Sequence, residues 1–260
     1  MKTALITGAS TGIGKALAYE HAKNGEHVVL VARGEDRLNK LAEDLTEKYD
    51  VKAEVIAMDL TGENAAKELF DEIATRGLKL DYLINNAGIG DVSVFSEGEL
   101  WRYQRIIQLN IIALTDLCHL FISHIKSNAK TGRILNVAST AAFHGLPNAA
   151  IYAATKAFVL SLSESLAVEL SKEGITVTAL CPGPTKTDFM NAADMNDRVN
   201  TLPVYASPES VAKFGYRKMQ AGQVVAIHGA LNKLGANSPR LMKREHVAKI
   251  AGSLMSLAKK

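Results

Sequence analysis

Short runs of apolar residues alternate with longer amphipathic stretches along most of this chain, and few architectures accept that order. The runs cover residues 3–7, 27–31, 53–58, 82–85, 133–137, 176–181 and 224–228. They are apolar without a period of two, as strands covered on both faces are. Residues 15–24, 35–49 and 64–75 lie between them and repeat apolar positions at helical spacing. The alternation predicts an α/β fold, a doubly wound parallel sheet with helices on both faces. At 260 residues the chain is long enough for one such Rossmann-type unit with a substantial core. No repeat, low-complexity tract or linker divides it, so residues 1–260 are expected to form a single domain.

Hydrophobic residues make up 47% and charged residues 22%, an ordinary globular profile. The net charge is +3, and Lys and Arg are scattered rather than gathered in a patch, which argues against nucleic acid. The two cysteines, Cys118 and Cys181, sit in apolar runs and read as buried reduced thiols. The first apolar run stops at Thr7 and Gly8, too short for a signal peptide, and no stretch approaches an uninterrupted membrane span. The expected location is cytoplasmic.

Residues 188–206 are polar and rich in Met and Asn, and precede Ser207-Pro208-Glu209, which has the form of a helix N-cap with proline in the first turn. A long loop inside a compact domain suits an active-site lid. Residues 240–258 read as an amphipathic helix. Its basic residues could lie on a membrane, but it has no aromatic anchor and is expected to pack on the domain or on a partner subunit.

The first run leads directly into Thr7-Gly8-Ala9-Ser10-Thr11-Gly12-Ile13-Gly14 and then into a helix. Glycines there let the backbone turn tightly and approach a pyrophosphate, which the helix N-terminus favours. A P-loop is the competing reading. It fails because Ala9 stands where that loop opens with glycine and Ala16 replaces the hydroxyl that would hold magnesium. At the end of the second run stands Ala32-Arg33. An acidic residue there would bind the free ribose hydroxyls of NAD, whereas a planar guanidinium suits a 2′-phosphate. The pair favours NADP(H) over NAD(H).

Tyr152 and Lys156 are four residues apart, so on a helix the phenol and the ammonium share a face. Reducing a carbonyl requires a proton donor for the developing alkoxide, and oxidation requires the reverse. A nearby Lys⁺ and an oxidised nicotinamide ring are expected to lower the phenol pKa. Such a pair alone is usually plain helix surface. Here Ser139 ends the fifth run, where open α/β sheets place ligand contacts, and Asn110 interrupts an apolar helical pattern. That amide could tie two elements together or hold a water that relays protons to Lys156.

Together these residues resemble the short-chain dehydrogenase/reductase family along nearly the whole chain. The resemblance implies a seven-stranded sheet in the order 3-2-1-4-5-6-7 and a catalytic tetrad of Asn110, Ser139, Tyr152 and Lys156. Gly8, Ser10, Gly12, Ile13 and Gly14 match the cofactor loop. Asp59, with Leu60 beside it, matches the adenine contact. Asn85-Asn86-Ala87-Gly88 is similar to the turn beside the cofactor, and Pro182, Gly183 and Thr187 match the segment lining the nicotinamide. Arg33 is similar to the NADP-preferring subgroup, although Thr11 stands where many such members carry a basic residue. Homodimers or homotetramers are implied, formed through helices at 99–127 and 151–171. The substrate, a small-molecule carbonyl or alcohol, is expected to meet Ser139, Tyr152, His144, Phe189 and Met190.

Other readings are weaker. Among the seven histidines, His119 and His124 are five apart and do not make a zinc helix, so no metal is expected. The flanks of Ser139 lack the hydrolase elbow. A catalytically silent NADP-binding regulator on the same fold is the alternative function, although it would have no need of all four tetrad residues. An epimerase or dehydratase would require a larger substrate domain than this length supplies.

Overall fold

The computed structural model describes residues 1–128, 131–189, 206–240 and 242–257, and the side chains of all of these except 240 and 254–257. Seven parallel strands lie in the order β3-β2-β1-β4-β5-β6-β7. They are β1 (Thr3–Thr7), β2 (His27–Ala32), β3 (Ala53–Ala57), β4 (Tyr82–Asn85), β5 (Gly132–Val137), β6 (Ile175–Cys181) and β7 (Val225–Ile227). Each expected strand is present, with no end displaced by more than one residue. Both faces are covered. Leu5, Val29, Leu83 and Ile134 pack on α3 (Ala65–Thr75), α5 (Leu114–Ser127) and α6 (Ala150–Glu169) through Leu69, Phe121 and Val159. Ala4, Ile6, Leu30 and Ile84 point the other way, onto Leu17 of α1 (Gly12–Lys23) and Leu38 of α2 (Glu35–Tyr49). Truncating a fully buried side chain such as Phe121 costs about 3–5 kcal/mol.

β1 pairs with β2 on one side and β4 on the other, so the strand order reverses at β1. The crevice outside the carboxyl ends at such a reversal is where open α/β sheets take ligands.

The helix expected over 99–127 forms with a defect. α4 (Leu100–Ile107) passes into a π-helical stretch, Gln108–Ala113, before α5 resumes. Wider π turns free a residue from the regular ladder and recur at functional sites. The helix expected at 151–171 ends at Glu169 and tightens into a 3-10 turn at Ser171–Glu173. α7 (Pro208–Gln220) opens as expected, with the Ser207 hydroxyl accepting from Ser210 N–H at 3.1 Å. α8 (Ala230–Asn237) was not foreseen, and the C-terminal helix α9 is Arg244–Leu257, starting four residues later than expected. Of the expected lid at 188–206, residues 190–205 lie outside the described residues, Met190 among them.

By length and composition the helical segments 100–127 and 150–169 could each cross a membrane. Phe121, Ile125 and Val159 are fully buried against the sheet, so these helices belong to the core on that face.

Candidate active site

The cradle after β1 is shaped by absent side chains. Gly8 and Gly12 have φ of 64° and 55°, a region that disfavours any residue with a Cβ. A Cβ on Gly8 would stand 2.8 Å from Asn86 Nδ2, and one on Gly14 would run into the Gly8 carbonyl. Thr7 and Asn86 hold the loop against the turn after β4. Thr7 Oγ1 accepts from Asn86 N–H at 3.1 Å and Ala87 N–H at 3.0 Å, and Asn86 Nδ2 donates to the Thr7 carbonyl at 2.9 Å. Across the cradle, Thr187 Cγ2 would lie 2.9 Å from a Cβ on Gly12. Thr11 caps α1 without a side-chain bond, and no acid occupies the first turn. The amides of that turn are therefore not satisfied by the N-cap side chain, and no carboxylate stands in the turn itself. A pyrophosphate fits this cradle.

Farther along the sheet edge, Arg33 is exposed. The Asp59 carboxylate accepts from Thr61 N–H at 3.1 Å, Thr61 Oγ1 at 2.9 Å and Arg105 at 3.1 Å. Partial burial acts to raise its pKa, but the Thr61 bonds and the Arg105 and Arg33 charges hold it below the ordinary carboxylate value. Leu60 beside it is buried.

The second half of the site forms where β5 ends. Ser139 is extended, and its Oγ accepts from Ala141 N–H at 3.1 Å, opening a 3-10 turn at Thr140–Phe143. Thr140 N–H donates to the Pro182 carbonyl at 2.9 Å, which joins this turn to the segment after β6. Tyr152 lies in the first turn of α6, and Lys156 follows one turn later with Nζ 5.8 Å from the tyrosine ring centroid. The ammonium donates to the Val137 carbonyl at 2.7 Å and is 5% exposed.

Burial dominates both ionisable groups. It raises the Tyr152 phenol above its ordinary value, against a hydrogen bond with Ser139 that lowers it. It lowers Lys156 to about 8, with Cys181 opposing. In the protein alone burial sets the direction of the Tyr152 shift, and the Lys156 ammonium is turned toward a backbone carbonyl.

Asn110 sits in the π-helical stretch and is 1% exposed. Its Oδ1 accepts from Ile89 N–H at 3.0 Å. Its Nδ2 donates to the Ile89 carbonyl at 2.9 Å and to Thr155 Oγ1 at 3.1 Å. The side chain thereby joins the turn after β4 to α6. Gly88 lies within that tie, since a Cβ there would stand 3.3 Å from Asn110 Oδ1 and 3.5 Å from Lys156 Nζ.

Above Tyr152 stands Phe189, with ring centroids 5.5 Å apart, and the missing Cβ of Gly90 makes room for it. His144 is half-buried on the turn after Phe143, with Nδ1 3.1 Å from the Gly145 carbonyl. Pro182 is buried, and Asn232 of α8 covers Gly183.

A family model described as short chain dehydrogenase matches residues 2–198 of the chain. The chain belongs to the short-chain dehydrogenase family. The sequence is 37% identical over 189 residues to 11-beta-hydroxysteroid dehydrogenase-like 3 of Arabidopsis thaliana, covering 72% of this chain and 60% of that protein. This short-chain dehydrogenase therefore spans about three fifths of that relative's length. Among solved structures it is similar to a short-chain dehydrogenase from Sphingobium yanoikuyae in complex with NADPH. The two share 33% identity and a TM-score of 0.82, over 93% of this chain and 94% of that one. It is also similar to a 3-ketoacyl-(acyl-carrier-protein) reductase from Brucella melitensis complexed with NADH. There the identity is 31% and the TM-score 0.76, over 87% of this chain and 95% of that one. A nicotinamide cofactor is common to both structures.

Some residues of the candidate site escaped the sequence reading. Arg105 reaches Asp59 from 46 positions away, and no local pattern marks that pairing. Thr155 could have been noticed, because it sits between Tyr152 and Lys156 and its hydroxyl donates to the Tyr152 carbonyl at 2.8 Å.

Proposed function

We propose that this short-chain dehydrogenase transfers hydride between NADP(H) and a carbonyl/secondary-alcohol pair, with Tyr152 as general acid/base. The observation that carries the reading is the convergence of Ser139, Tyr152 and buried Lys156 beside a glycine cradle that suits a pyrophosphate. When bound there, NADPH would supply the hydride, and its oxidised ring would add positive charge beside the Tyr152 phenol.

The chain's own residues do the rest. Gly8, Ser10, Gly12, Ile13 and Gly14 hold the pyrophosphate at the start of α1, and Arg33 takes the 2′-phosphate. Asp59 and Leu60 border the adenine. Asn86, Ala87 and Gly88, with Pro182, Gly183 and Thr187, would line the nicotinamide, and Lys156 would hold its ribose. Ser139 donates to the substrate oxygen, and Tyr152 delivers a proton to it. Asn110 fixes the distance between the cofactor turn and α6 through Ile89 and Thr155.

Phe189 and His144 line the substrate side. An aromatic wall over Tyr152 and the hydroxysteroid-dehydrogenase-like relative favour a bulky, largely apolar ketone. Leu100, Trp101, Ile112, Phe158 and Val168 are exposed on α4, the π-helical stretch and α6, and suit a homodimer or homotetramer contact. The buried free thiols Cys118 and Cys181 are in keeping with a reducing cytoplasm.

The deciding experiment follows NADPH absorbance with acetophenone, benzophenone and 5α-androstane-3,17-dione. Tyr152→Phe is expected to lower turnover by about 100-fold or more while NADPH still binds. Near-normal turnover by that variant would refute the mechanism. NADPH binding with no turnover by the wild type would identify a silent regulator instead.

A further inference from the structure

Beyond residue 198 the chain leaves the stretch matched by the family model, yet two helices from that part close on the site. α8 packs against the 3-10 turn that follows Ser139. Its Asn232, tied to the His228 carbonyl at 2.8 Å, occupies the space over Gly183. α9 reaches the turn between Ser139 and Tyr152. Ala248 Cβ is 3.6 Å from where a Gly145 Cβ would stand, and a Cβ on Gly252 would lie 2.8 Å from Pro147 Cγ and 3.1 Å from Pro147 Cβ. Val247, beside Ala248, is 6% exposed, so this face of the helix is packed.

The same turn is pinned from its other side. Ser93 N–H donates to the Asn148 carbonyl at 2.9 Å, and Ala149 N–H donates to the Leu146 carbonyl at 3.1 Å. Asn148 adopts a left-handed φ of 65°. A turn held at both sides transmits a shift rather than absorbing it. Glycine inside a helix is unfavourable relative to alanine, and at Gly252 it permits a contact that no other residue allows.

We propose that α9 is a working wall of the substrate site and that Gly252 is a positioning residue. Through Pro147 it sets where the 145–148 turn stands relative to Tyr152, and so the gap that receives the substrate carbonyl. The inference rests on the oxidoreductase reading above. A side chain at Gly252 forces helix or turn to give by more than about half an ångström, and misplacement on the scale of 1 Å costs roughly 100-fold in reactivity.

The test compares Gly252→Ala and Gly252→Val in the wild-type and Pro147→Ala backgrounds. Readouts are KM and kcat for 5α-androstane-3,17-dione, NADPH affinity by fluorescence, and thermal unfolding. Gly252→Val is expected to raise KM or lower kcat/KM by about tenfold or more, with alanine intermediate and NADPH affinity changed less than about twofold. On the Pro147→Ala background the valine penalty is expected to shrink to within about threefold, because the clash partner has been cut back. If valine does not fold, the alanine pair carries the same comparison. Unchanged kinetics in folded Gly252 variants, or a penalty of equal size in both backgrounds, would overturn the proposal. A wild type that binds NADPH but reduces none of the ketones would instead overturn the oxidoreductase reading.

Discussion

Asn110→Ala separates a structural tie from an idle polar residue. The wild-type carboxamide makes three bonds at 2.9–3.1 Å from a site that is 1% exposed. The truncation strands the Ile89 N–H and carbonyl, while Thr155 keeps its bond to the Tyr152 carbonyl. At about 1 kcal/mol per lost bond, the expected destabilisation is about 3 kcal/mol, and more if water cannot enter. For a chain of this size that corresponds to a fall in Tm of about 6–12 °C. The kinetic effect follows from what the amide joins. Ile89 adjoins Gly88 of the cofactor turn, and Thr155 lies on the turn of α6 that carries Tyr152. Loss of register between them on the scale of 1 Å would lower kcat/KM by about 100-fold. Differential scanning calorimetry and steady-state kinetics on the same preparations measure both. A Tm within about 2 °C of wild type together with unaltered kcat/KM would refute the reasoning.

Other positions give independent tests. Arg33→Ala is expected to weaken NADPH by roughly 10–100-fold, as loss of a charged hydrogen bond does, and to leave NADH nearly unchanged; equal losses for both would remove Arg33 from the phosphate. Gly14→Ala drives a Cβ into the Gly8 carbonyl and is expected to abolish NADPH fluorescence enhancement, so wild-type affinity would contradict the cradle geometry. Glu26 is buried, which acts to raise its carboxyl, but bonds from His21, at 2.5 Å, and from Tyr82 and Tyr216 bring it below its ordinary value of 4.5. A carboxylate lowered in the fold contributes stability that is present above about pH 4.5 and lost as pH falls through its folded value. Wild-type Tm should therefore drop more steeply than that of Glu26→Gln on the acid side, and parallel curves would count against the pair.

The strands were legible because parallel strands buried on both faces leave continuous apolar runs, and such runs have sharp ends. The cradle was legible because Gly8, Gly12 and Gly14 are required by geometry that other residues cannot adopt. The π-helical stretch at Gln108–Ala113 was not, because helical periodicity averages over several turns and one widened turn disappears in it. The state of Tyr152 was also hidden. Spacing shows that a lysine is near, whereas desolvation depends on everything else that surrounds the phenol. Contacts such as Arg105 with Asp59 and Gly252 with Pro147 join distant parts of the chain and leave no local trace.

The lock between Thr7 and Asn86 joins residues 79 positions apart. A chain in which β4 has not yet docked on β1 has no cradle, whatever helix and strand it has already formed. Dinucleotide binding at this cradle would thereby require β4 docked on β1, and mass action would stabilise docked states over those in which the pair is still open. A saturating dinucleotide would then protect the chain from proteolysis only once residues 7 and 86 have met.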